Sequence, residues 1–544
     1  MLKHAHIIAV LVGIIVLTPS ITIVSVSNIN TPCTTMQVLT DDGVPVVFDV
    51  IKKPAASSNA PVAVLIHGFS GNRKMMKMIG LALADKGVVS VLVDLRGHGD
   101  SGGFMSYVNS FDADIQAVLG ELASKSLGNI SRLVFIGHSM GGSVAVNMSK
   151  ILQPLATVGI APAISPSSVN ITDPENLLLI ISEGDTVIDN QAVINAFYES
   201  INGTGEPNII YYAGGSEKKL FTDDYSDHLS VLYRPPVIDE IVKWVTRIVL
   251  GVEESSSINS DLIGACVFSA VIGGLMILLP FGHKILQYFR KRNGTPLVTV
   301  DIRPRKAFIY SVIGFIAASV GGAGLTVLLS LPFFIVSPLL FTNFVTALFL
   351  GNSIAIGVLG GVQLRRKIGK SFFKRFFNLM LTRNLIYNLI AGFILGVLLI
   401  ILFYTTIGSN TTSTLSTSPV RLAFLMLYLP VYLLVFLLYE LFFRGLIRHE
   451  LGSGVLSAIT SCIIQITVML SSLLIQILIA TVILQQNVSF ILLGLPFIIL
   501  LVSVSTIISA VFYEASNGWL TQILSNALLL SSIAIALSNI IYIF

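Results

Sequence analysis

The stretch RLVFIGHSMGG, residues 132–142, decides the fold of the first half of this 544-residue chain. An apolar run with strand character passes directly into GHSMG (137–141), and a helical pattern begins after it. This is G-x-S-x-G in a strand–turn–helix context, where a sharp, strained turn exposes the serine hydroxyl at the carboxyl edge of a sheet. Glycine on both sides of the serine lets strand and helix approach closely. Ser139 is therefore the candidate nucleophile, and Gly137 and Gly141 form the elbow around it.

Further apolar runs on both sides of this stretch predict a mostly parallel sheet. They are nearly continuous and alternate with helical stretches, as expected when helices cover both faces of the sheet. They are PVAVLIHG (61–68), VVSVLVDL (88–95), ATVGIAPA (156–163), NLLLIISEGD (176–185) and, as the last strand, NIIYY (208–212). The sequence DDG at 41–43 predicts a hairpin turn between two earlier strands. We therefore expect residues 35–250 to form one α/β domain.

The composition predicts that much of the remaining chain lies in lipid. Hydrophobic residues make up 54% of the chain and charged residues 11%, whereas a typical soluble chain has about 25% charged residues. The apolar run 5–26 predicts a signal anchor within residues 1–34, with a cleaved signal peptide as the alternative. After a polar linker, 251–261, the segment 262–544 is expected to be an all-α polytopic transmembrane domain. We place about eight spans, at 262–281, 307–329, 337–361, 384–408, 421–443, 453–484, 489–513 and 520–543.

The placement of positive charge predicts how these spans are oriented. The stretches 282–306 and 362–383 each contain seven Lys and Arg residues, whereas the loop 409–420 contains no charged residue. Positively charged loops stay in the cytoplasm. With the amino terminus inside, 282–306, 362–383 and 444–452 all fall inside. Residues 35–250 are then expected on the extracytoplasmic side of the cell membrane.

A glycine-rich turn, HGFSG (67–71), follows the apolar strand that precedes it. Such a turn can aim the backbone N–H of Phe69 at a reacting carbonyl oxygen, and the N–H of Met140 supplies a second donor. Together they would form an oxyanion hole, in which each donor is typically worth a factor of about 10² to 10³ in rate. We interpret His67 as a structural hydrogen-bonding residue.

Three motifs, HGFSG, DLRGHGDS (94–101) and GHSMGG (137–142), occur in the order and spacing of the α/β-hydrolase superfamily. Over residues 35–250 the chain resembles the branch of serine aminopeptidase-like and monoglyceride-lipase-like enzymes. The resemblance implies an α/β-hydrolase fold, a serine hydrolase and no cofactor. In that family the second motif shapes the edge of the sheet, which implies structural roles for Asp94, Arg96 and His98.

The general base is found by elimination among the eight histidines of the chain. Those excluded lie in or before the anchor, on the expected cytoplasmic side, or in motif loops that precede the serine: His4, His6, His67, His98, His138, His283 and His449. Only His228 follows Ser139 within the domain, as the chain order Ser…Asp…His requires. It lies in DDYSDHLSVL, which we expect between the last strand and a helix.

The acid of the triad is expected just after the strand LLLIIS, where it would orient the imidazole and stabilise the imidazolium. Glu183, Asp185 and Asp189 all follow that strand. The pattern of the resembled family favours Asp185, with Glu183 as the next candidate.

Two absences limit the chemistry that we expect. The chain has three cysteines, of which only Cys33 lies outside the apolar membrane runs, and no metal-binding spacing occurs. No disulfide is therefore expected within the domain, and no metal. Residues 164–175 are too few for the helical lid that many relatives carry at this position. We therefore expect an open site, unless the membrane domain or the bilayer covers it.

A second resemblance concerns the membrane segment. YELFFRG (439–445) is similar to the E-E-x-x-x-R-G motif of CAAX-processing and bacteriocin-immunity membrane proteases, and 512–532 is similar to the last motif region of that family. An ionisable residue such as Glu440 within a span suggests function, although an (i, i+4) ion pair with Arg444 is an equally simple interpretation.

Several departures from that protease motif suggest a related scaffold without protease activity. Tyr439 replaces the first glutamate, while Asn526 and Leu530 stand where the family has histidine and asparagine. No histidine follows His449, and those proteases need histidines in later helices to activate water.

The sequence as a whole predicts a membrane-anchored, extracytoplasmic serine hydrolase that cleaves an ester or amide through an acyl-enzyme on Ser139. Its substrate would be a small molecule, lipid or peptide, and no nucleic-acid partner is expected. One alternative is a membrane receptor or transporter whose hydrolase-like domain only binds ligands, but the complete Ser, Asp and His set disfavours it. Another is an intramembrane protease centred on Glu440, which the missing histidines disfavour. Neither fold nor motif identifies the substrate.

Overall fold

The computed structural model describes residues 2–105, 111–293, 313, 317–337, 339–368, 385–408, 419–443, 454–482, 495–516 and 519–536. The chain divides into two compact units. One contains Thr18–Ala270, and the other contains Met1–Leu17 together with Val271–Thr405 and Leu415–Ala536.

The unit of Thr18–Ala270 is built on a nine-stranded sheet with the strand order β1-β2-β4-β3-β5-β6-β7-β9-β8. Strands β3, β4, β5, β6, β7 and β9 are mutually parallel, whereas β2 and β8 run antiparallel to their neighbours. The strands are β1 Cys33–Leu39, β2 Pro45–Ile51, β3 Pro61–Ile66, β4 Val89–Val93, β5 Asn129–His138, β6 Ala156–Ile160, β7 Leu177–Ser182, β8 Ile210–Ala213 and β9 Ser216–Asp223. The predicted α/β fold with a mostly parallel sheet is confirmed.

Helices cover both faces of this sheet. They are α2 Lys77–Asp85, α3 Asp112–Ser124, α4 Met140–Leu152, α5 Asn190–Ile201 and α6 Pro235–Leu250, and α1 Leu2–Asn30 precedes the sheet. Because successive strand residues point to opposite faces, Ala63 and Leu65 of β3 pack in one core with α2 and α6. Val62 and Val64 pack in the other core, with α3 and α4. This alternation explains why the central strands are apolar along their whole length.

One prediction about the strands is wrong. NIIYY was predicted to be the last strand, but β9 follows it and lies between β7 and β8. The sequence SEKKLFTD hides this strand because it carries charged residues at its centre. The ammonium group of buried Lys218 donates to the carbonyl of Pro174, and Lys219 forms an ion pair of 2.7 Å with Glu240. Both charges therefore find partners that only the folded chain supplies.

The segment predicted as a polar linker, 251–261, runs back along α6 before the next helix begins at Ser260. The N–H of Glu254 donates to Thr246 Oγ1 at 3.1 Å, and the N–H of Ser256 donates to Asp239 Oδ1 at 2.8 Å. The hydroxyl of Ser260 donates to the carbonyl of Tyr233 at 2.6 Å. Tyr233 lies five residues after His228. This last hydrogen bond therefore holds the start of the helix at Ser260 against the segment that follows His228.

Eight helices follow in the second half of the chain among the described residues. They are α7 Ser260–Asn293, α8 Gly322–Val336, α9 Leu340–Ile368, α10 Leu385–Phe403, α11 Pro419–Phe442, α12 Gly454–Val482, α13 Leu495–Ser516 and α14 Leu520–Ala536. Each overlaps one predicted span. Most of the positively charged stretches that predicted the orientation, and Arg444, lie outside the described residues.

Within the described ranges, five helices are long and apolar enough to cross a membrane. Their apolar segments are His6–Ile23, Ser260–Phe289, Thr342–Val362, Leu385–Gly408 and Arg421–Phe442. Shorter apolar segments occur in four other helices. Length and composition therefore support the prediction that the second half contains membrane helices.

Helix α14 lies at the centre of the second unit, and nearly all of its side chains are buried. It packs closely against α10, where Gly392 leaves room for the carbonyl oxygen of Thr521. A Cβ on Gly392 would lie 2.9 Å from that oxygen. Small residues at such contacts allow helix backbones in membranes to approach one another.

Candidate active site

Ser139 occupies the turn between β5 and α4. Its backbone has φ 54° and ψ −119°, which is strained for a residue with a side chain. The turn also requires its glycines, since a Cβ on Gly137 would lie 1.9 Å from the carbonyl oxygen of Gly141. A Cβ on Gly141 would lie 2.3 Å from the carbonyl oxygen of Ile66. The sequence thus folds here into the tight strand-to-helix turn that G-x-S-x-G predicted.

A continuous chain of hydrogen bonds joins the three side chains that were predicted as a triad. The hydroxyl of Ser139 lies 3.0 Å from Nε2 of His228. On the other side of the ring, Nδ1 of His228 lies 2.7 Å from Oδ2 of Asp185. Since an ionised carboxylate can only accept, Nδ1 carries the proton and Nε2 has a free lone pair for the serine hydroxyl.

Asp185 is held in place by the loop that follows β7. Its other oxygen, Oδ1, accepts hydrogen bonds from the N–H groups of Val187 at 2.8 Å and Ile188 at 3.0 Å. Burial opposes ionisation of this carboxyl, but the hydrogen bond from His228 and those from the two backbone groups hold its pKa below the ordinary value. The carboxylate is therefore ionised at neutral pH and oriented toward the imidazole.

The other acids considered for this position lie elsewhere. Oδ1 of Asp189 accepts the N–H of Gln191 at 3.0 Å and so caps α5. Glu183 is exposed. Of the three acids after β7, only Asp185 contacts His228 in the described part of the chain.

His138, the residue before the serine, contacts the histidine of the triad. Its Nε2 lies 2.8 Å from the carbonyl oxygen of His228, and the two rings lie 4.8 Å apart. Because a carbonyl only accepts, Nε2 carries the proton. Burial, with a smaller contribution from His228, lowers the pKa of His138 to about 3, so the ring is neutral. Sequence reasoning missed this contact, because the strand–turn motif does not show where the His228 loop returns.

Two backbone N–H groups beside the serine have no hydrogen-bond partner among the described residues. One belongs to Phe69, in the turn after β3, and the other to Met140. Met140 is the first residue of α4, where N–H groups lack an intrahelical acceptor. The turn lies against Ser139, since a Cβ on Gly68 would lie 3.0 Å from Cβ of Ser139. The structure therefore leaves both predicted donors available.

His67 stabilises this turn from inside the protein. The N–H of Leu95 donates to its Nε2 at 3.2 Å, so Nδ1 carries the proton and donates to the carbonyl of Gly68 at 2.8 Å. Burial lowers the pKa of His67 to about 4. The neutral ring thus links the turn that carries Phe69 to the end of β4.

The motif DLRGHGDS forms a network of buried charges at the same edge of the sheet. Asp94 is fully buried, accepts N–H groups from Arg73 and Asp100 and forms an ion pair with the Arg73 guanidinium. Arg73 also pairs with Asp49 at 3.0 Å and with Asp100 at 2.9 Å. The network fixes the turn after β4, and in the described residues it makes no direct contact with Ser139 or His228.

Arg96 and His98 complete this loop. The guanidinium of Arg96 pairs with Asp114 of α3 at 2.7 Å and with Asp42 of the β1–β2 hairpin at 2.7 Å. The ring of His98 lies 4.9 Å from that of His67. Arg96 therefore connects the hairpin, the loop and a helix.

Four apolar or aromatic side chains on loops of this unit are exposed. Phe69 is 43% exposed and Tyr225 is 83% exposed, and Phe104 and Val187 are also exposed. The segment 164–175 contains only the short turn Pro166–Ser168, so no helix of this unit covers the site from that segment. Among the described residues, no cluster of His, Cys, Asp or Glu could hold a metal ion.

The membrane-protease motif falls partly on described residues. Tyr439 and Glu440 are buried on α11, while Asn526 and Leu530 are buried on α14. The side-chain amide of Gln522 donates to Glu440 Oε2 at 3.2 Å. Arg444 lies outside the described residues, so its predicted ion pair with Glu440 stays a prediction.

Comparison with known proteins identifies relatives of the first half of the chain. Residues 57–179 match the family model described as serine aminopeptidase, S33. The chain is 36% identical over 110 residues to an sn-1-specific diacylglycerol lipase, ABHD11, of Xenopus laevis, which covers 19% of this chain and 33% of that protein. It is 33% identical over 112 residues to a putative esterase/lipase of Haemophilus influenzae, covering 20% and 36% respectively. The chain thus spans about a third of the length of these relatives.

Solved structures are also similar to part of the chain. The esterase Pf2001 of Pyrococcus furiosus has 19% sequence identity and a TM-score of 0.33, covering 41% of this chain and 95% of that one. The resemblance of the second half to membrane proteases is not confirmed, because the family model matches only residues 57–179. The matched family, the strand order and the serine at the elbow identify the sheet-containing unit as an α/β-hydrolase domain of the serine-hydrolase type.

Proposed function

We propose that this protein is a membrane-anchored serine hydrolase that cleaves an ester or amide bond through an acyl-enzyme on Ser139. The observation that carries the proposal is the unbroken hydrogen-bond chain from Asp185 through His228 to Ser139. A domain that only bound a ligand would have no need for this proton path, which disfavours a receptor or transporter.

The first chemical step forms the acyl-enzyme. Nε2 of His228 takes the proton of the Ser139 hydroxyl as Oγ attacks the carbonyl carbon, and the ionised Asp185 stabilises the resulting imidazolium. The free N–H groups of Phe69 and Met140 donate to the negative oxygen of the tetrahedral intermediate. His228 then gives its proton to the leaving alcohol or amine, and the carbon–heteroatom bond breaks.

The second step releases the acyl group. Water enters in place of the leaving group and gives a proton to His228 as its oxygen attacks the acyl carbon. Collapse of this intermediate returns the proton to Ser139 and frees the carboxylic acid. No cofactor or metal takes part in either step.

The side chains around the serine favour an apolar acyl substrate. The exposed ring of Phe69 lies on the turn beside Ser139, and the exposed side chain of Val187 lies on the loop that holds Asp185. Both offer apolar surface near the proposed triad. The names of the two relatives described above, a diacylglycerol lipase and an esterase/lipase, agree with this preference. We infer an ester of an apolar acid as the substrate class.

The membrane helices anchor this activity, and the charge pattern of the sequence supports an extracytoplasmic location. The apolar helices at His6–Ile23 and Ser260–Phe289 flank the hydrolase domain directly. The seven positive residues of 282–306 then favour the cytoplasm. The helix Ser260–Phe289 lies between the domain and this stretch. If this helix crosses the membrane once, the domain lies on the extracytoplasmic side.

Two experiments test the proposal. A fluorophosphonate probe should label the full-length wild-type protein and leave Ser139→Ala unlabelled, and hydrolysis of acyl esters should exceed that of aminoacyl amides. Absence of labelling, or equal hydrolysis by wild type and variant, would overturn the enzymatic role. For orientation, a membrane-impermeant maleimide should label exposed Ser58→Cys in a Cys33→Ser background on intact cells. Labelling only after lysis would contradict the extracytoplasmic location.

A further inference from the structure

A carboxyl group lies buried within the apolar helices of the second unit. Glu440 of α11 is 3% exposed and receives a hydrogen bond of 3.2 Å from the side-chain amide of Gln522 on α14. An ionisable residue at such a position is costly and therefore suggests a function. Neither half of the serine-hydrolase chemistry proposed above uses it.

Gln522, which donates to this carboxyl, has an unsatisfied atom in the described part of the chain. Gln522 is fully buried and its Nε2 donates to Glu440 Oε2, whereas its Oε1 has no hydrogen-bond partner among the described residues. Buried polar atoms are almost always paired, so an orphaned amide oxygen needs an explanation. The missing group must be a hydrogen-bond donor that can reach the side of Gln522 next to the carboxyl.

A protonated carboxyl supplies such a donor. An ionised carboxylate only accepts, whereas a carboxylic acid has one O–H to donate. Carboxylic acid and carboxamide then form two complementary hydrogen bonds, O–H to amide oxygen and amide N–H to acid oxygen. One of these two bonds is already present between Gln522 and Glu440.

We propose that Glu440 and Gln522 form a proton-binding site among the membrane helices. In the occupied state the carboxyl of Glu440 carries a proton that it donates to Gln522 Oε1, while Gln522 Nε2 donates to the other acid oxygen. The ligand proposed is a proton, since the described residues contain no group of three or more His, Cys, Asp or Glu side chains around Glu440 that could hold a metal ion.

The surroundings of Glu440 contain few other titratable or charged groups among the described side chains. Helix α14 has none. The described charged side chains of α9 are Arg365 and Arg366, both exposed and C-terminal to Gly360, which packs on Phe442. On α11 itself the groups are Arg421, Tyr428, Tyr432 and Tyr439, and α13, which packs against α14, adds Tyr513. Arg444, one turn after Glu440, lies outside the described residues, and an ionised Glu440 paired with it is the alternative that the experiment below distinguishes.

Asn526 provides a matched control on the same helix. It is as deeply buried as Gln522 and lies one turn away, and its amide oxygen also finds no partner within the described ranges. However, its Nδ2 donates to the carbonyl of Ser505 at 3.1 Å and to Ser509 Oγ at 2.9 Å, both on α13. A change at Asn526 removes a buried amide of the same kind without removing the hydrogen bond to Glu440.

Infrared spectroscopy of the full-length protein in lipid bilayers at neutral pH tests the site. Exposed carboxyls are ionised under these conditions, so a carboxylic-acid C=O band reports protonated buried groups. Wild type minus Glu440→Gln should isolate one such band. In Gln522→Leu the band should move to higher frequency, because the acid carbonyl loses its donor, whereas Asn526→Leu should leave it in place.

Two results would overturn the proposal. One is an acid C=O region that is identical in wild type and Glu440→Gln, which would mean that Glu440 is ionised. The other is a band that Gln522→Leu leaves unmoved or that Asn526→Leu moves equally. Each variant is first required to retain wild-type helix content and fluorophosphonate labelling of Ser139. A further measurement needs no variant: dicyclohexylcarbodiimide, which reacts with protonated carboxyls in apolar surroundings, should modify Glu440 of the wild type. Lack of modification would count against the site.

Discussion

Replacing Asp185 by asparagine is expected to disable the site while leaving its shape intact. The asparagine Oδ1 can still accept the N–H groups of Val187 and Ile188, which now bind the aspartate at 2.8 and 3.0 Å. The substitution replaces the other carboxylate oxygen, Oδ2, by an NH₂ group. In the wild type, Oδ2 lies 2.7 Å from Nδ1 of His228. An NH₂ group there needs an acceptor, so the imidazole turns to the tautomer with its proton on Nε2.

The magnitude follows from that change of tautomer. With a proton on Nε2, His228 can no longer accept the proton of Ser139, and the imidazolium loses its ionised partner. The same substitution in a serine-hydrolase triad typically lowers kcat by about 10⁴, or about 5 kcal/mol of barrier. The thermal stability of the domain should change little, because both backbone hydrogen bonds are kept.

The assay is steady-state hydrolysis of a chromogenic short-chain ester by the full-length protein in detergent. Asp189→Asn is the matched control, since its side chain caps α5 by accepting the N–H of Gln191 and does not contact His228. We expect the control to keep activity within a few-fold of wild type. A loss of less than tenfold in Asp185→Asn, or an equal loss in both variants, would refute the assignment of the acid.

Three further predictions follow from other parts of the site. His138→Phe removes the donor that holds the backbone of His228. It should lower kcat about tenfold, a change of about 1.4 kcal/mol, with KM little changed. His138→Gln keeps an N–H group and should retain most of the wild-type rate, and equal losses in both variants would contradict a positioning role. His67 and His138 bind protons more weakly in the folded protein, with pKa values of about 4 and about 3, than in the unfolded chain. Their contribution to stability is therefore complete above about pH 6.5 and declines as the pH falls toward those values, by up to about 1.4 kcal/mol per histidine and pH unit. The free energy of unfolding is measured with denaturant between pH 4 and 7, with tryptophan fluorescence as the readout. It should change less steeply with pH in His138→Gln than in wild type, and an unchanged steepness would contradict burial of a neutral ring. Gly137→Ala should prevent correct folding of the elbow, because its Cβ would lie 1.9 Å from the carbonyl oxygen of Gly141. As a control, the Cβ of Gly120→Ala on α3 meets no atom within 4 Å, and this variant should add about 0.5–1 kcal/mol of stability. The melting temperatures of the two variants check this, and a folded, active Gly137→Ala would contradict the geometry.

The elements that the sequence predicts well are those with a local signature. The strand, elbow and helix around Ser139 form one continuous stretch of chain, and strict glycine requirements mark the turn. The identification of His228 depended on chain order alone, and the structure brings its ring to 3.0 Å from the serine hydroxyl. Among three neighbouring acids, the sequence could only rank Asp185 first, because the choice depends on where the loop after β7 turns.

The features that the sequence did not predict depend on contacts between distant parts of the chain. Strand β9 carries Lys218 and Lys219, whose charges look incompatible with a sheet until Pro174 and Glu240 are placed beside them. The contact of His138 with the carbonyl of His228 joins residues 90 positions apart. The periodicity of apolar residues along the chain does not predict contacts between residues that are far apart in sequence.

In the second half of the chain, the lengths of apolar runs predicted the helices but not their packing. Each predicted span overlaps a helix, and the central position of α14 could not be inferred from its composition. The hydrogen bond between Gln522 and Glu440 likewise becomes visible only when α11 and α14 are placed side by side.

Trapping of the acyl-enzyme tests the central claim most directly. Full-length protein mixed with an activated acyl ester and quenched in acid within the first turnover should gain the mass of one acyl group, mapped by peptide mass spectrometry to Ser139. The adduct should be absent in Ser139→Ala and should form far more slowly in His228→Ala. An acyl group on another residue, or hydrolysis with no adduct on Ser139 under any quench time, would contradict the proposed mechanism.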